Sequence, residues 1–138
     1  MNQFAMDFGD NLSTEETFII YKNVIVDRKS KYTTTGGKVK SEEEVKQFIK
    51  NLNKNKYFQK ATHNSYAYII KGESGALIEG KNDDGETGAG MCILRELKRE
   101  NAVNLIVVVT RIFGGVYLQA DRFKNVIDAS KLFLNKLK

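Results

Sequence analysis

The run Leu105-Ile106-Val107-Val108-Val109 is the stretch of sequence that decides the fold. Its residues are all apolar and four are β-branched, a composition that favours strands. A strand that is apolar at consecutive positions is buried on both faces or lies at the centre of a sheet. Residues 104–112 therefore predict the strongest strand of the chain, which ends before Gly114 and Gly115.

Further strands are predicted on the N-terminal side of this run. β-branched and aromatic residues, bounded by glycines or polar residues, indicate strands at 18–21 with 24–26, 31–35, 62–71 and 76–78. In the third of these, Tyr66, Tyr68 and Ile70 alternate and so share one face. Residues 81–86 are predicted to form a loop.

Three helices separate or follow the strands. Ser41 and Glu44 form a capping box, and Val45, Phe48, Ile49 and Leu52 then repeat with helical spacing. A second helix is predicted over about 87–100, and Asp121 is predicted to cap a third. The order of elements predicts an α+β domain with one sheet and helices packed on it.

The composition fits one ordinary soluble domain. The chain has 138 residues, which we divide into a partly disordered segment, 1–16, and a single domain, 17–138. Cys92 is the only cysteine, so no internal disulfide forms. No apolar run approaches the roughly 20 residues that span a bilayer, and no secretory signal is evident. We therefore expect a cytoplasmic protein with no membrane partner.

Three ordered motifs carry a family resemblance. They are Ala61-Thr62-His63-Asn64-Ser65-Tyr66-Ala67-Tyr68, then Asp83-Asp84-Gly85-Glu86-Thr87-Gly88-Ala89-Gly90, then 107–115 followed by Asp121-Arg122-Phe123-Lys124. Together they resemble the IMPACT family, which in bacteria includes the YigZ proteins. The Asp-Asp-Gly-Glu-Thr and Asp-Arg-Phe-Lys forms resemble the eukaryotic branch more closely. Three positions depart from the family pattern: Ser65 stands in place of a cysteine, Gln119 in place of a common glycine, and Ile112-Phe113 in place of an aromatic pair.

The resemblance implies both a fold and a role. The fold would be a two-layer sandwich, with a mixed sheet and helices packed on one face, like the second domain of ribosomal small-subunit protein five. IMPACT proteins compete for a ribosome-associated activator of a kinase that phosphorylates an initiation factor during amino-acid starvation. Full-length eukaryotic members also carry an N-terminal RWD domain, for which 138 residues leave no room. The resemblance implies no cofactor.

Asp83, Asp84 and Glu86 place three carboxylates within four positions. Oxygen ligands of this kind suit a hard cation such as Mg²⁺ or Ca²⁺. The alternative, which we favour, is structural: Asp84 caps the following helix, and Glu86 lies in its first turn, where negative charge is stabilised. Gly85 belongs to the same motif. We therefore predict no metal site and no catalytic residue here.

A candidate binding face is indicated by basic residues near the diglycine. Its residues are Arg111, Gly114, Gly115, Arg122, Lys124 and His63. With Tyr66 and Tyr68 they would present a basic and aromatic surface to RNA. The equally weighted alternative is that Arg111 pairs with Asp83, Asp84 or Glu86 and fastens a strand to a loop. For the two tyrosines we favour the alternative that they are core residues with a polar tip.

We therefore predict a non-enzymatic interaction protein of the translation machinery, with the ribosome or a ribosome-associated regulatory protein as partner. The net charge of +5, from 22 basic and 17 acidic residues, is compatible with RNA without requiring it. A general RNA-binding module is the alternative hypothesis. A metal-dependent hydrolase built on Asp83, Asp84 and Glu86 is the third. A nucleophile pair of Cys92 and His63 is disfavoured, because buried thiols are usually inert.

Overall fold

The computed structural model describes residues 18–138, so the segment predicted to be disordered, 1–16, lies outside the described residues. The described part forms one five-stranded sheet with four helices. The strands are β1 (Ile19–Asp27), β2 (Ser30–Lys38), β3 (His63–Lys71), β4 (Leu77–Asn82) and β5 (Leu105–Ile112). The helices are α1 (Glu42–Leu52), α2 (Lys56–Gln59), α3 (Ala89–Arg99) and α4 (Asp121–Leu137).

Strand β5 occupies the centre of the sheet, as its apolar run predicts. The strand order is β1-β2-β5-β3-β4, so the strand that comes last in the sequence lies between the two hairpins. Both faces of β5 are buried. Leu105, Val107 and Val109 face one core cluster, whereas Ile106 and Val108 face the other. The two alternatives left open by the sequence, burial on both faces and a central position, are both true.

The predicted α+β class is confirmed, with two corrections to its details. Every ladder of the sheet is antiparallel, so the sheet is not mixed. Helices also cover both faces: α3 and α4 pack on one, while α1 and α2 pack on the other through Val45, Phe48, Leu52 and Phe58. Helices lie on both faces because β5 carries apolar side chains on both, and each set has to be shielded from water.

The local signals mark most element ends. The Ser41 hydroxyl accepts a hydrogen bond from the Glu44 amide, 3.1 Å from nitrogen to oxygen, and so caps α1. Asp121 is not a cap: Ala120 occupies the N-cap position of α4, and Asp121 pairs with Arg28 instead. Strand β4 also extends through residues that the sequence predicted as loop, 81 and 82. Among residues 18–138, no helix has the length and apolar character needed to cross a membrane.

Candidate binding cleft

A cleft of about 430 Å³ opens where the three family-like motifs meet. Its walls come from the start of β3, the loop between β4 and α3, the end of β5 and the segment that leads into α4. A volume of this size is ordinary for a ligand pocket. The cleft therefore lies at a place where segments distant in sequence converge.

Sheet register brings two of the predicted site residues together. On β5, Arg111 is the direct partner of Tyr32 on β2 and of His63 on β3. All three positions face the side of the sheet that α3 and α4 cover, because Arg111 continues the alternation of Val107 and Val109, which face that side. His63 and Arg111 both line the cleft.

A buried ion pair forms the floor of the cleft. Glu86 Oε2 lies 2.9 Å from Arg111 Nη1, and the two side chains are only 5% and 7% exposed. Arg111 Nη2 donates a second hydrogen bond to the Ser30 hydroxyl at 3.3 Å. Arg122 approaches the same Glu86 oxygen at 3.5 Å from its Nε. One carboxylate thus serves two guanidinium groups, which leaves a surplus of one positive charge.

The three carboxylates of the acidic motif, Asp83, Asp84 and Glu86, each contact a different part of the structure. Asp83, not Asp84, stabilises the start of α3, because its oxygens accept hydrogen bonds from the amides of Gly88 (3.0 Å) and Gly90 (2.8 Å). The Gly88 amide is the larger cause of a lowered Asp83 pKa, and the Gly90 amide adds to it. Asp84 accepts from the Asn64 amide of β3 instead, at 2.7 Å.

This separation bears on the metal and hydrolase hypotheses. Glu86 faces Arg111, while Asp83 and Asp84 each satisfy backbone amides. Within residues 18–138, no group of three or more histidine, cysteine, aspartate or glutamate side chains is placed to hold a metal ion. The motif therefore shapes the loop, and the arrangement lends no support to a carboxylate-based active centre.

His63 is held by the same loop. Its Nδ1 lies 2.9 Å from the Asp84 carbonyl oxygen, a geometry in which Nδ1 carries the proton and donates. The Ser65 hydroxyl donates to the Asp83 carbonyl at 2.7 Å. Asp84 and Gly85 both have positive φ, 50° and 87°, so this turn needs a glycine at its second position.

Some residues of the predicted face do not reach the cleft. Lys124 is exposed and pairs with Asp128 at 2.9 Å on the surface of α4. Gly114 and Gly115 do not line the cleft. Instead, Gly114 permits a close chain crossing, since a Cβ there would lie 2.1 Å from the Lys29 carbonyl carbon.

The tyrosines proposed to join His63 lie elsewhere. Tyr66 and Tyr68 pack against the cluster under α1 and α2, on the opposite face of the sheet from His63. The alternation of β3 places odd and even residues on different faces, so these side chains cannot share a surface with His63. The expectation of a joint basic and aromatic face containing Tyr66 and Tyr68 is therefore wrong, and the two tyrosines pack against the core as the favoured alternative predicts.

A different aromatic pair lies at the cleft. The rings of Phe113 and Tyr117 are 5.3 Å apart, and Tyr117 is 78% exposed. The Thr62 hydroxyl accepts a hydrogen bond from the Phe113 amide at 2.9 Å and so fixes the end of β5. Sequence reasoning missed this pair, although three large apolar residues in a glycine-containing loop were a signal for it.

Cys92 takes no part in the cleft. It lies on α3 within the core, and burial is the main cause of its raised pKa. The thiolate form, which is the nucleophile, is therefore disfavoured. This placement agrees with the expectation that Cys92 and His63 do not form a reactive pair.

The chain is similar in sequence to proteins of one family. Residues 28–134 match the family described as the Impact N-terminal domain. The chain is 38% identical over 111 residues to a Protein IMPACT homolog of Dictyostelium discoideum, a match that covers 80% of this chain and 32% of that protein. Protein IMPACT-A of Xenopus tropicalis is 36% identical over 135 residues, with 96% and 42% covered. The chain thus spans less than half the length of these relatives.

Two solved structures share the fold. The structure of Yih1, described as a two-domain translational regulator, is 32% identical with a TM-score of 0.59, over 86% of this chain and 46% of Yih1. A crystal structure described as that of a hypothetical protein reaches a TM-score of 0.75 at 23% identity, over 88% of this chain and 61% of the other. The second likeness concerns the fold alone. The family match over residues 28–134, together with relatives at this level of identity, shows that the chain belongs to the IMPACT family.

Proposed function

We propose that this chain is an interaction domain of a translational regulator and that it acts by binding, without turnover. The observation that carries the proposal is its membership of the IMPACT family together with its 32% identity to Yih1, a structure described as that of a translational regulator. The proposed partner is the ribosome or a ribosome-associated protein, and the resemblance suggests the activator of the initiation-factor kinase. Such a partner would place the protein in the cytoplasm.

The chemistry of the cleft supports binding over catalysis. Glu86 is the one carboxylate among the described residues that line it, and its Oε2 is engaged by Arg111 and Arg122. His63 also lines the cleft, but its Nδ1 donates to the Asp84 carbonyl oxygen. A carboxylate held between two guanidinium groups instead fixes the walls of a rigid cleft.

The exposed groups at the cleft also favour a partner. Arg122 keeps a third of its side chain in solvent, and Tyr117 is almost fully exposed. Arginine and tyrosine are enriched among the residues that dominate binding energy at protein interfaces. These two side chains therefore mark the face with which we expect the partner to engage.

Co-sedimentation with purified ribosomes tests the proposal. The chain and an Arg122→Ala variant are each spun with ribosomes at low and at raised salt. Lys124→Ala is the matched control, since it removes the same charge from the same turn of α4 outside the cleft. We expect the wild-type and Lys124→Ala proteins to pellet at raised salt and Arg122→Ala to remain in the supernatant.

Two outcomes would contradict the proposal. Failure of the wild-type chain to pellet under either condition would remove the ribosome as a partner. Equal loss in Arg122→Ala and Lys124→Ala, with release by any free RNA added as competitor, would indicate the general RNA-binding alternative, because such binding depends on charge and salt alone.

A further inference from the structure

Three large apolar side chains are exposed in the loop between β5 and α4. Phe113, Val116 and Tyr117 are 38%, 43% and 78% exposed, and they form what we call the apolar rim of the cleft. Single exposed apolar residues are common on protein surfaces, whereas contiguous ones mark interaction sites. The rings of Phe113 and Tyr117 already contact each other at a tilt of 39°, so these two side chains present one continuous surface.

The rim is held in place before any partner arrives. Phe113 is fixed through its amide by the Thr62 hydroxyl, and the Gly114 amide donates to the Ser30 hydroxyl at 3.2 Å. At the other end, Leu118 is buried with 2% exposure and its carbonyl accepts from the Asp121 amide. A surface that is already ordered loses little conformational entropy on binding.

The net positive charge beside the rim favours a negatively charged group on the partner. Glu86 is one negative charge facing two guanidinium groups, and its contact with Arg122 is the longer one, 3.5 Å against 2.9 Å to Arg111. Arg122 is also the more exposed of the two arginines. A second carboxylate can therefore bind Arg122 while Glu86 keeps its bond to Arg111.

The small number of positive charges at the cleft favours an acidic peptide over RNA as the partner. Among the described residues that line the cleft, only Arg111 and Arg122 carry a permanent positive charge, and Arg111 is buried and paired. Lys124, the nearest basic residue along α4, is engaged by Asp128. RNA-binding surfaces neutralise several phosphates at once. One available guanidinium beside an apolar surface suits a single carboxylate that has an apolar neighbour.

We propose that the cleft is a docking site for a segment of a protein partner in which an aspartate or glutamate lies beside an aromatic or large aliphatic residue. The carboxylate binds Arg122, and the apolar side chain packs on Phe113, Val116 and Tyr117. This inference rests on the proposed function, since it names the chemistry that the interaction domain recognises.

A peptide array tests the inference. Its probes are short peptides with glycine and serine flanks in which two central positions take every pair of residues. We expect the folded chain to select pairs of one acidic and one aromatic or large aliphatic residue. An array that selects basic residues, or shows no preference, would overturn the inference.

Solution NMR titration of one selected peptide then locates the site. We expect shifts confined to amides of the 113–122 segment, and an affinity about fivefold lower when the acidic residue of the peptide is replaced by its amide. Arg122→Gln should lower the affinity for the acidic peptide by the same factor and leave that for the amide peptide unchanged. Lys124→Ala should alter neither. Equal affinity of the two peptides for the wild-type chain would contradict the role of Arg122.

An oligouridylate of similar length is titrated in parallel. If it shifts the same amides while the peptides do not, the occupant is RNA and the inference fails. Ribosome co-sedimentation distinguishes this failure from that of the proposed function. If the chain pellets with ribosomes in an Arg122-dependent way but binds no peptide, the proposed function stands and only the acidic-peptide inference fails.

Discussion

Glu86 and Arg111 form the most buried ion pair among the described residues, with 2.9 Å between Glu86 Oε2 and Arg111 Nη1. The pair joins a loop to the central strand over a separation of 25 residues. Arg111 therefore makes the strand-to-loop contact that one of the two alternatives predicts, while the binding face stays a prediction. Of the two arginines that line the cleft, Arg122 is the one that the solvent reaches.

Removing one partner of this pair should destabilise the fold strongly. Glu86→Gln leaves the Arg111 charge buried without a counter-charge, which typically costs about 3–5 kcal/mol. Urea unfolding measures the change in the free energy of unfolding. The double variant Glu86→Gln, Arg111→Met removes both charges and should recover most of the loss. A single variant that loses less than about 1 kcal/mol would show that the pair is not desolvated.

The start of α3 should depend on Asp83. Asp83→Ala removes the acceptor of the Gly88 and Gly90 amides and should cost about 1–2 kcal/mol. Asp83→Asn keeps one amide oxygen and should lose less. Denaturation measures the stability, and hydrogen exchange at the two glycine amides shows whether the helix start is the part affected. Equal losses in both variants would contradict this capping role.

Acid should weaken the contact between the β1–β2 turn and α4. Hydrogen bonds from Arg28, and then from Asn125, lower the pKa of Asp27 from 3.8 to about 2. A lowered folded pKa means that Asp27 contributes its full stability above pH 3.8 and loses it as the pH falls towards 2. In Asp27→Asn, the free energy of unfolding should therefore fall less steeply over this range.

The two proteins should become similar in stability below about pH 2, where the Asp27 carboxyl is protonated in the folded state as well. Urea unfolding at a series of pH values provides the measurement. Parallel curves across the whole range would show that Asp27 does not contribute to the acid sensitivity.

Gln119 should be replaceable by glycine with a gain in stability. Its φ is 55°, a left-handed conformation that costs a side-chain-bearing residue about 1–2 kcal/mol. Gln119→Gly removes this strain but adds about 0.5–1 kcal/mol of backbone entropy loss, so a net gain of up to about 1.5 kcal/mol is expected. The Gln119 carbonyl that accepts from Arg122 is retained.

Gly115→Ala provides the opposite change in the same loop. Gly115 has a φ of 95° and open space around the added methyl group, so backbone strain alone should lower the stability. Urea unfolding compares the two variants. A Gln119→Gly protein less stable than wild type would show that the side chain makes contacts that outweigh its strain.

The fold was predictable where a pattern was long. Helix α1 carries both a capping box and four apolar residues at helical spacing, and β5 has an apolar run that only a central strand tolerates. The end of β4 gave no such signal, because nearly all of its positions are exposed. An edge strand that buries few side chains shows no alternation of apolar and polar residues, so the sequence predicts a loop at the last two residues of β4.

The site was less predictable, because a sequence identifies the charged residues but not the directions in which their side chains point. The positive φ values at Asp84 and Gly85 turn Asp83, Asp84 and Glu86 towards three different partners. Lys124 follows Arg122 by two positions on a helix, which places the two on different sides of α4. His63 lies opposite Arg111 because of the sheet register. That register depends on pairing between strands, which no local sequence pattern specifies.

The central place of β5 has a consequence for how the chain reaches this fold. Each hairpin, β1–β2 and β3–β4, has an edge that only β5 pairs with, and two-stranded hairpins alone are marginally stable in water. During synthesis each hairpin therefore keeps one edge of unpaired backbone groups until the strand ending at Ile112 leaves the ribosome. The sheet then closes in one late, long-range step, so a chain cut short before residue 105 has no route to the native state.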